Sequence, residues 1–117
     1  MLTAHHVNAF LVIGVCLVAS GLAFLALRRG TAAGVTVTQA LALAQTLIVA
    51  QVALGLLLLS DHRRAPDRLH YAYGTFALLA VLSPWLYAPS EPRARLLWFA
   101  VATLVAAALG VRAYMTA

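Results

Sequence analysis

The reading turns on QVALGLLLLSDHRRAPDRLHYAYG, residues Gln51 to Gly74. An apolar run ends at Leu59, a short charged segment holding Arg63, Arg64, Pro66 and Arg68 follows, and a second apolar run opens on Leu69-His70-Tyr71. Two apolar runs joined by so short a link read as antiparallel neighbouring helices. Pro66-Asp67 suits the turn before the second helix, with Asp67 as its N-cap. His70 therefore sits at the mouth of a helix, beside three arginines.

The rest of the chain is built the same way. Hydrophobic residues make up 64% of it and charged residues 9%, against roughly 45–50% and 25% in soluble domains. Mean hydropathy is +0.95. The charges gather at Arg28-Arg29, between Asp61 and Arg68, and between Glu91 and Arg95, with Arg112 the exception. Between these clusters lie four runs, expected as helices over about 4–27, 35–59, 69–88 and 95–115, each about 20 residues or more and so long enough to cross the hydrocarbon core. The expectation is an all-α fold: one domain over residues 1–117, an integral membrane four-helix bundle running up and down.

Local signals support the boundaries. Thr3 is a candidate N-cap for the first helix, and Gly30 and Gly34 make the following turn. Ser83-Pro84 is expected to kink the third helix. Gly14, Ala19, Ser20 and Gly21 in the first helix, and Ala102, Ala106 and Gly110 in the last, are small residues that allow close helix approach where lipid supplies no hydrophobic drive. Gln39, Gln45 and Gln51 should face other helices, because an amide in a bilayer needs a partner. Tyr71, Tyr73, Trp85, Tyr87, Trp98 and Tyr114 suit an interfacial aromatic belt. The lone Cys16 reads as a small buried apolar side chain.

The net charge of +5 comes from arginine alone. With loops this short it points to lipid headgroups or an anionic cofactor, and not to nucleic acid. Arginine counts on the two faces are nearly level, and Arg28-Arg29 slightly favours termini on the outer side. No intramembrane carboxylate, cysteine pair or nucleophile–base set is present, so an enzymatic role has no visible machinery.

An up-down bundle brings His5, His6, His62 and His70 to one membrane face. A neutral imidazole at a helix mouth can ligate haem iron, and bundle cofactor sites are built from facing helices. His6 and His70, each opening a span, are the candidate axial pair, with His5 and His62 as alternates. Arg63, Arg64 and Arg68 are candidate partners for haem propionates. Two other readings stand beside this one. The histidines and arginines could simply be solvated at the interface, or His5, His6, His62 and Asp61 could form a metal site, although their spacing matches no compact ligand motif.

His6 followed by Ala9-Phe10, then Gln51-Val52-Ala53-Leu54-Gly55 on the next helix, then Leu69-His70 opening the one after, resembles one half of the haem A synthase family. That family is made of two similar four-helix halves, each with a histidine pair near one membrane face, and one half holds a haem b. The resemblance covers roughly residues 5 to 82. It implies a haem-holding bundle with His6 and His70 as the pair and termini on the outer side. The chain has one half only, no acidic residue beside His6 and no cysteine pair, so haem A synthesis does not carry over. Two functions follow as expectations. One is a small bis-His haem b protein for electron transfer or haem handling, within a larger respiratory or photosynthetic complex. The other is a cofactor-free accessory subunit whose role is packing.

Overall fold

A computed structural model describes residues 2–117. The elements are α1 (Leu2–Arg29), α2 (Gly34–Ser60), α3 (Leu69–Tyr87) and α4 (Pro92–Met115). They form an antiparallel bundle measuring 48 × 24 × 19 Å. Successive helices pack side by side, α4 also packs along α1, and α2 meets α3 least of the adjoining pairs. A cleft therefore runs between α2 and α3. Its far end is pinned where Trp85 Nε1 donates to Gln45 Oε1 at 2.9 Å.

Three helices, α1, α2 and α4, are long and apolar enough to cross a membrane. The sequence reading expects four. α3 has 19 residues, and Tyr71, Tyr73, Thr75, Ser83 and Pro84 dilute its apolar character. Large apolar side chains such as Phe10, Val18, Leu56 and Leu86 point outward, as they do on helices that are apolar all round and meet lipid.

The interior is made of small residues. Cys16, Ala19, Ala23, Ala44, Ala100 and Ala106 are fully enclosed, which lets backbones approach closely. Gly110 carries the α4 seam onto α1: a Cβ there would lie 3.6 Å from Ile13 Cγ1. The seam is thus internal to the bundle. Gly14 and Gly21 face open space instead, because they lie off the stripe that Ala19 and Ser20 occupy.

The helix ends show why these residues stop where they do. At Gly30, with φ of 69°, the Gly30 and Thr31 amides donate back to Leu27 O and Ala26 O, a Schellman closure. α2 closes the same way: the Arg63 amide donates to Leu58 O at 2.9 Å, and His62 occupies the left-handed position with φ of 61°. His62 is therefore a helix-ending residue, exposed to solvent. Asp67 Oδ1 accepts from the Leu69 amide at 2.9 Å, so it caps α3 from one residue before the N-cap, Arg68. Thr3 caps nothing, since α1 already includes it. Pro84 lies inside the last turn of α3, which continues to Tyr87.

Glu91 caps α4, accepting from the amides of Arg93 and Ala94, with Pro92 in the first turn. The Ala94 and Arg93 N–H groups hold its carboxyl below the ordinary carboxylate range. A depressed folded pKa contributes stability that is present above the unfolded value, about 4.3, and is lost as pH falls through the folded value. Thermal unfolding followed by circular dichroism should show this fall for the wild type below about pH 4.3 and a flatter profile for Glu91→Gln.

Candidate functional site

The N-termini of α1 and α3 and the C-termini of α2 and α4 converge at one end of the bundle. Two contacts across the axis establish this: Asn8 with Gln51, and His70 with Ala113. A cavity of about 480 Å³ opens there, walled by all four helices and by the α2–α3 loop. Its walls are mostly aliphatic, and its polar side chains include His5, His6, Gln51, His70, Arg63 and Arg64.

His70 lines this cavity from the first turn of α3. Its Nδ1 lies 2.7 Å from the carbonyl oxygen of Ala113. A carbonyl only accepts, so Nδ1 carries a hydrogen, and whenever the ring holds a single proton the lone pair is on Nε2. The bond ties α3 to α4 and fixes the tautomer.

His5 lies opposite, its ring centroid 6.1 Å from that of His70 and its plane inclined at 73°. It is 9% exposed, whereas His6 is exposed. The sequence reading pairs His6 with His70, and the structure sets His5 there instead. Neighbouring residues on a helix point about 100° apart, so only one of the two can face the axis. His6 lines the cavity edge with its centroid 6.4 Å from that of His5.

The surroundings of His5 are specific. Gly55 leaves room for it, since a Cβ at that position would lie 3.3 Å from His5 Cε1. Gln51, one turn earlier on α2, brings Nε2 to 3.5 Å from His5 Nε2. Asn8 Nδ2 donates both to the backbone carbonyl of Leu47 and to Gln51 Oε1, each at 3.0 Å. Asn8 is a residue that sequence reasoning misses; the signal was one more amide within the first apolar run, a turn from the histidines. His5 Nδ1 is buried and has no hydrogen-bond partner among the described residues.

The loop arginines divide. The Ala65 amide donates to Tyr71 Oη at 2.8 Å, which pins the loop over the cavity, and Arg63 and Arg64 line its mouth. Arg63 also lies 3.9 Å from Asp61 in an exposed pair, a weak attachment. Arg68, the N-cap of α3, does not line the cavity. Tyr73, expected at the interface, holds Arg112, whose guanidinium carbon lies 5.4 Å from the ring centroid. Among the described residues no group of three His, Cys, Asp or Glu side chains is placed to hold a metal ion, and His62 is an exposed residue at the end of α2.

The arrangement offers two imidazoles from α1 and α3, an apolar chamber and two arginines beside it. Such residues offer imidazole nitrogens to a Lewis acid and guanidinium groups to carboxylates. No family model, curated protein or solved structure matches this chain.

Proposed function

We propose that this chain is a membrane haem protein with α3 as its fourth span, and that His5 and His70 are the axial ligands of a haem b held in the cavity between α2 and α3. The observation that carries the reading is the His5–His70 pair itself. Metal–imidazole nitrogen bonds of about 2 Å on opposite sides of one ion put the ring centroids roughly 6 Å apart, and the two rings stand 6.1 Å apart. His70 has the tautomer that ligation through Nε2 requires, set by a carbonyl on Nδ1, which is the usual outer partner of a ligating histidine. The chamber lies within the range of about 300–1,000 Å³ typical of cofactor sites.

Bound haem b supplies one-electron redox chemistry. The protein's part is to hold and tune it. His5 and His70 would hold it, the aliphatic walls would exclude water, and Arg63 and Arg64 would be available to its carboxylates. Electron transfer or haem handling within a larger membrane assembly suits a chain that lacks a nucleophile–base set. The likeness to a haem A synthase half, which matches His6 and His70, supports a histidine pair at this end of the bundle, though it points to His6 where the geometry favours His5. Termini on the outer side put the haem near the outer face of the membrane.

The test is titration of haemin into the purified protein in detergent, followed by dithionite reduction. A one-to-one complex with a six-coordinate low-spin reduced spectrum is expected. Arg63→Gln combined with Arg64→Gln should weaken haemin binding about three- to tenfold, as exposed charge pairs are worth about 0.2–1 kcal/mol each. The difference should shrink in high salt, which a titration repeated at two ionic strengths will show.

A further inference from the structure

Asn8 and Gln51 have no part in the ligand pair as described, yet their hydrogen bonds form a directional chain that ends on it. Asn8 Nδ2 donates to the carbonyl oxygen of Leu47 at 3.0 Å. Because that oxygen can only accept, the amide of Asn8 has one possible orientation. Its second N–H then meets Gln51 at 3.0 Å, and the Gln51 atom facing it must be the acceptor Oε1. With Oε1 committed to Asn8, the Gln51 NH₂ group faces His5 Nε2 at 3.5 Å. A donor there leaves Nε2 only the acceptor role, so the hydrogen of the neutral ring belongs on Nδ1. Nδ1 is also the buried atom that has no partner among the described residues, so this arrangement leaves its N–H unpaired and the lone pair on Nε2.

We infer that Asn8 and Gln51 are a positioning pair that holds His5 as an Nε2 lone-pair donor. The purpose of the device rests on the haem reading, but the device itself is built from these side chains alone. Its logic mirrors that of His70, whose tautomer a backbone carbonyl fixes from the Nδ1 side. The two rings thus reach one tautomer by opposite means. At His70 an acceptor sits on Nδ1, and at His5 a donor sits on Nε2. Gly55 completes the arrangement, because its missing side chain lets the His5 ring lie flush against α2 within reach of Gln51.

The experiment is nitrogen NMR of haem-free protein carrying ring-¹⁵N histidine, in detergent at a pH where the rings are neutral, with His5 assigned by its absence in His5→Ala. The wild type should show one pyrrole-type Nδ1 and one pyridine-type Nε2 for His5. Gln51→Leu keeps the bulk and removes the donor, and it should lose the pure Nε2 pyridine-type signal in favour of a mixed or reversed pair. Asn8→Leu should do the same through a freed Gln51. His70 should stay unchanged in both variants and so report that the fold is intact. An Nε2–H form of His5 in the wild type would overturn the proposal, as would unchanged His5 signals in both variants. A haemin titration of the wild type separates the two questions. If the tautomer responds but haemin does not bind, the relay stands and the haem reading falls. If haemin binds but the tautomer is indifferent, the relay falls alone.

Discussion

Alanine at His70 or at His5 should each abolish the six-coordinate low-spin spectrum of the reconstituted protein, whereas His6→Ala should keep it. The contrast follows from depth. His5 is 9% exposed and faces His70 across the cavity, while His6 is exposed at its edge. Losing a ligand leaves a five-coordinate iron, and affinity should fall well beyond the 10–100-fold typical of losing an outer partner. His70→Ala carries an added structural cost, because the Ala113 carbonyl loses its side-chain donor. A lost hydrogen bond of this kind costs about 1–3 kcal/mol, so circular dichroism should accompany the spectra. Retention of the low-spin form by His5→Ala together with its loss in His6→Ala would reverse the ligand assignment.

The second large effect is expected at Gly55. Two terms of opposite sign meet in Gly55→Ala. Replacing a helical glycine by alanine gains about 1 kcal/mol in propensity, while the new methyl would stand 3.3 Å from His5 Cε1 and must push the ring aside. Stability should therefore change little, and haemin affinity should drop. Gly55→Leu removes the balance. Overpacking of this kind costs about 1–3 kcal/mol, and the side chain would occupy the space that His5 and the ligand share. Haemin binding should then be lost while helical content persists, a pair of readings that separates a blocked site from an unfolded chain. Unimpaired haemin binding by Gly55→Leu would mean that His5 does not hold the ligand from this side.

Much of this is legible in the sequence itself. Four apolar runs separated by charged clusters define four helices, and the boundary glycines Gly30 and Gly34 do adopt positive φ. The convergence of the histidines at one end follows from up-down order alone. The choice between His5 and His6 was also within reach. The buried positions Val12, Cys16, Ala19, Ala23 and Ala26 step by four and three residues, and the same stepping runs back through Ala9 to His5, leaving His6 off the stripe. In an apolar helix whose outer face is as hydrophobic as its inner one, only the small-residue stripe marks the inside. Leucine and valine do not.

Other features were not legible because they depend on backbone groups and cross-helix distances. His62 reads as an alternate ligand in the sequence, yet it is the left-handed residue that ends α2. Its neighbour Arg63 gains its place at the cavity mouth from that closure. Tyr71 reads as an interfacial aromatic, but its hydroxyl holds the loop through the Ala65 amide. Arg68 looks equivalent to Arg63 and Arg64, yet as the N-cap of α3 it does not line the cavity. The loss of α3 from the clearly apolar class is the cost of placing His70, Tyr71 and Tyr73 on one helix.

The central claim is a bis-His haem b between His5 and His70. Magnetic circular dichroism of the haemin-loaded wild type in the near infrared tests it most directly, because the charge-transfer band of low-spin ferric haem depends on the two axial ligands. The account predicts one equivalent of haem with a bis-imidazole band that His5→Ala and His70→Ala each remove. Haemin that stays high-spin, or that binds with the same spectrum in both variants, would contradict it.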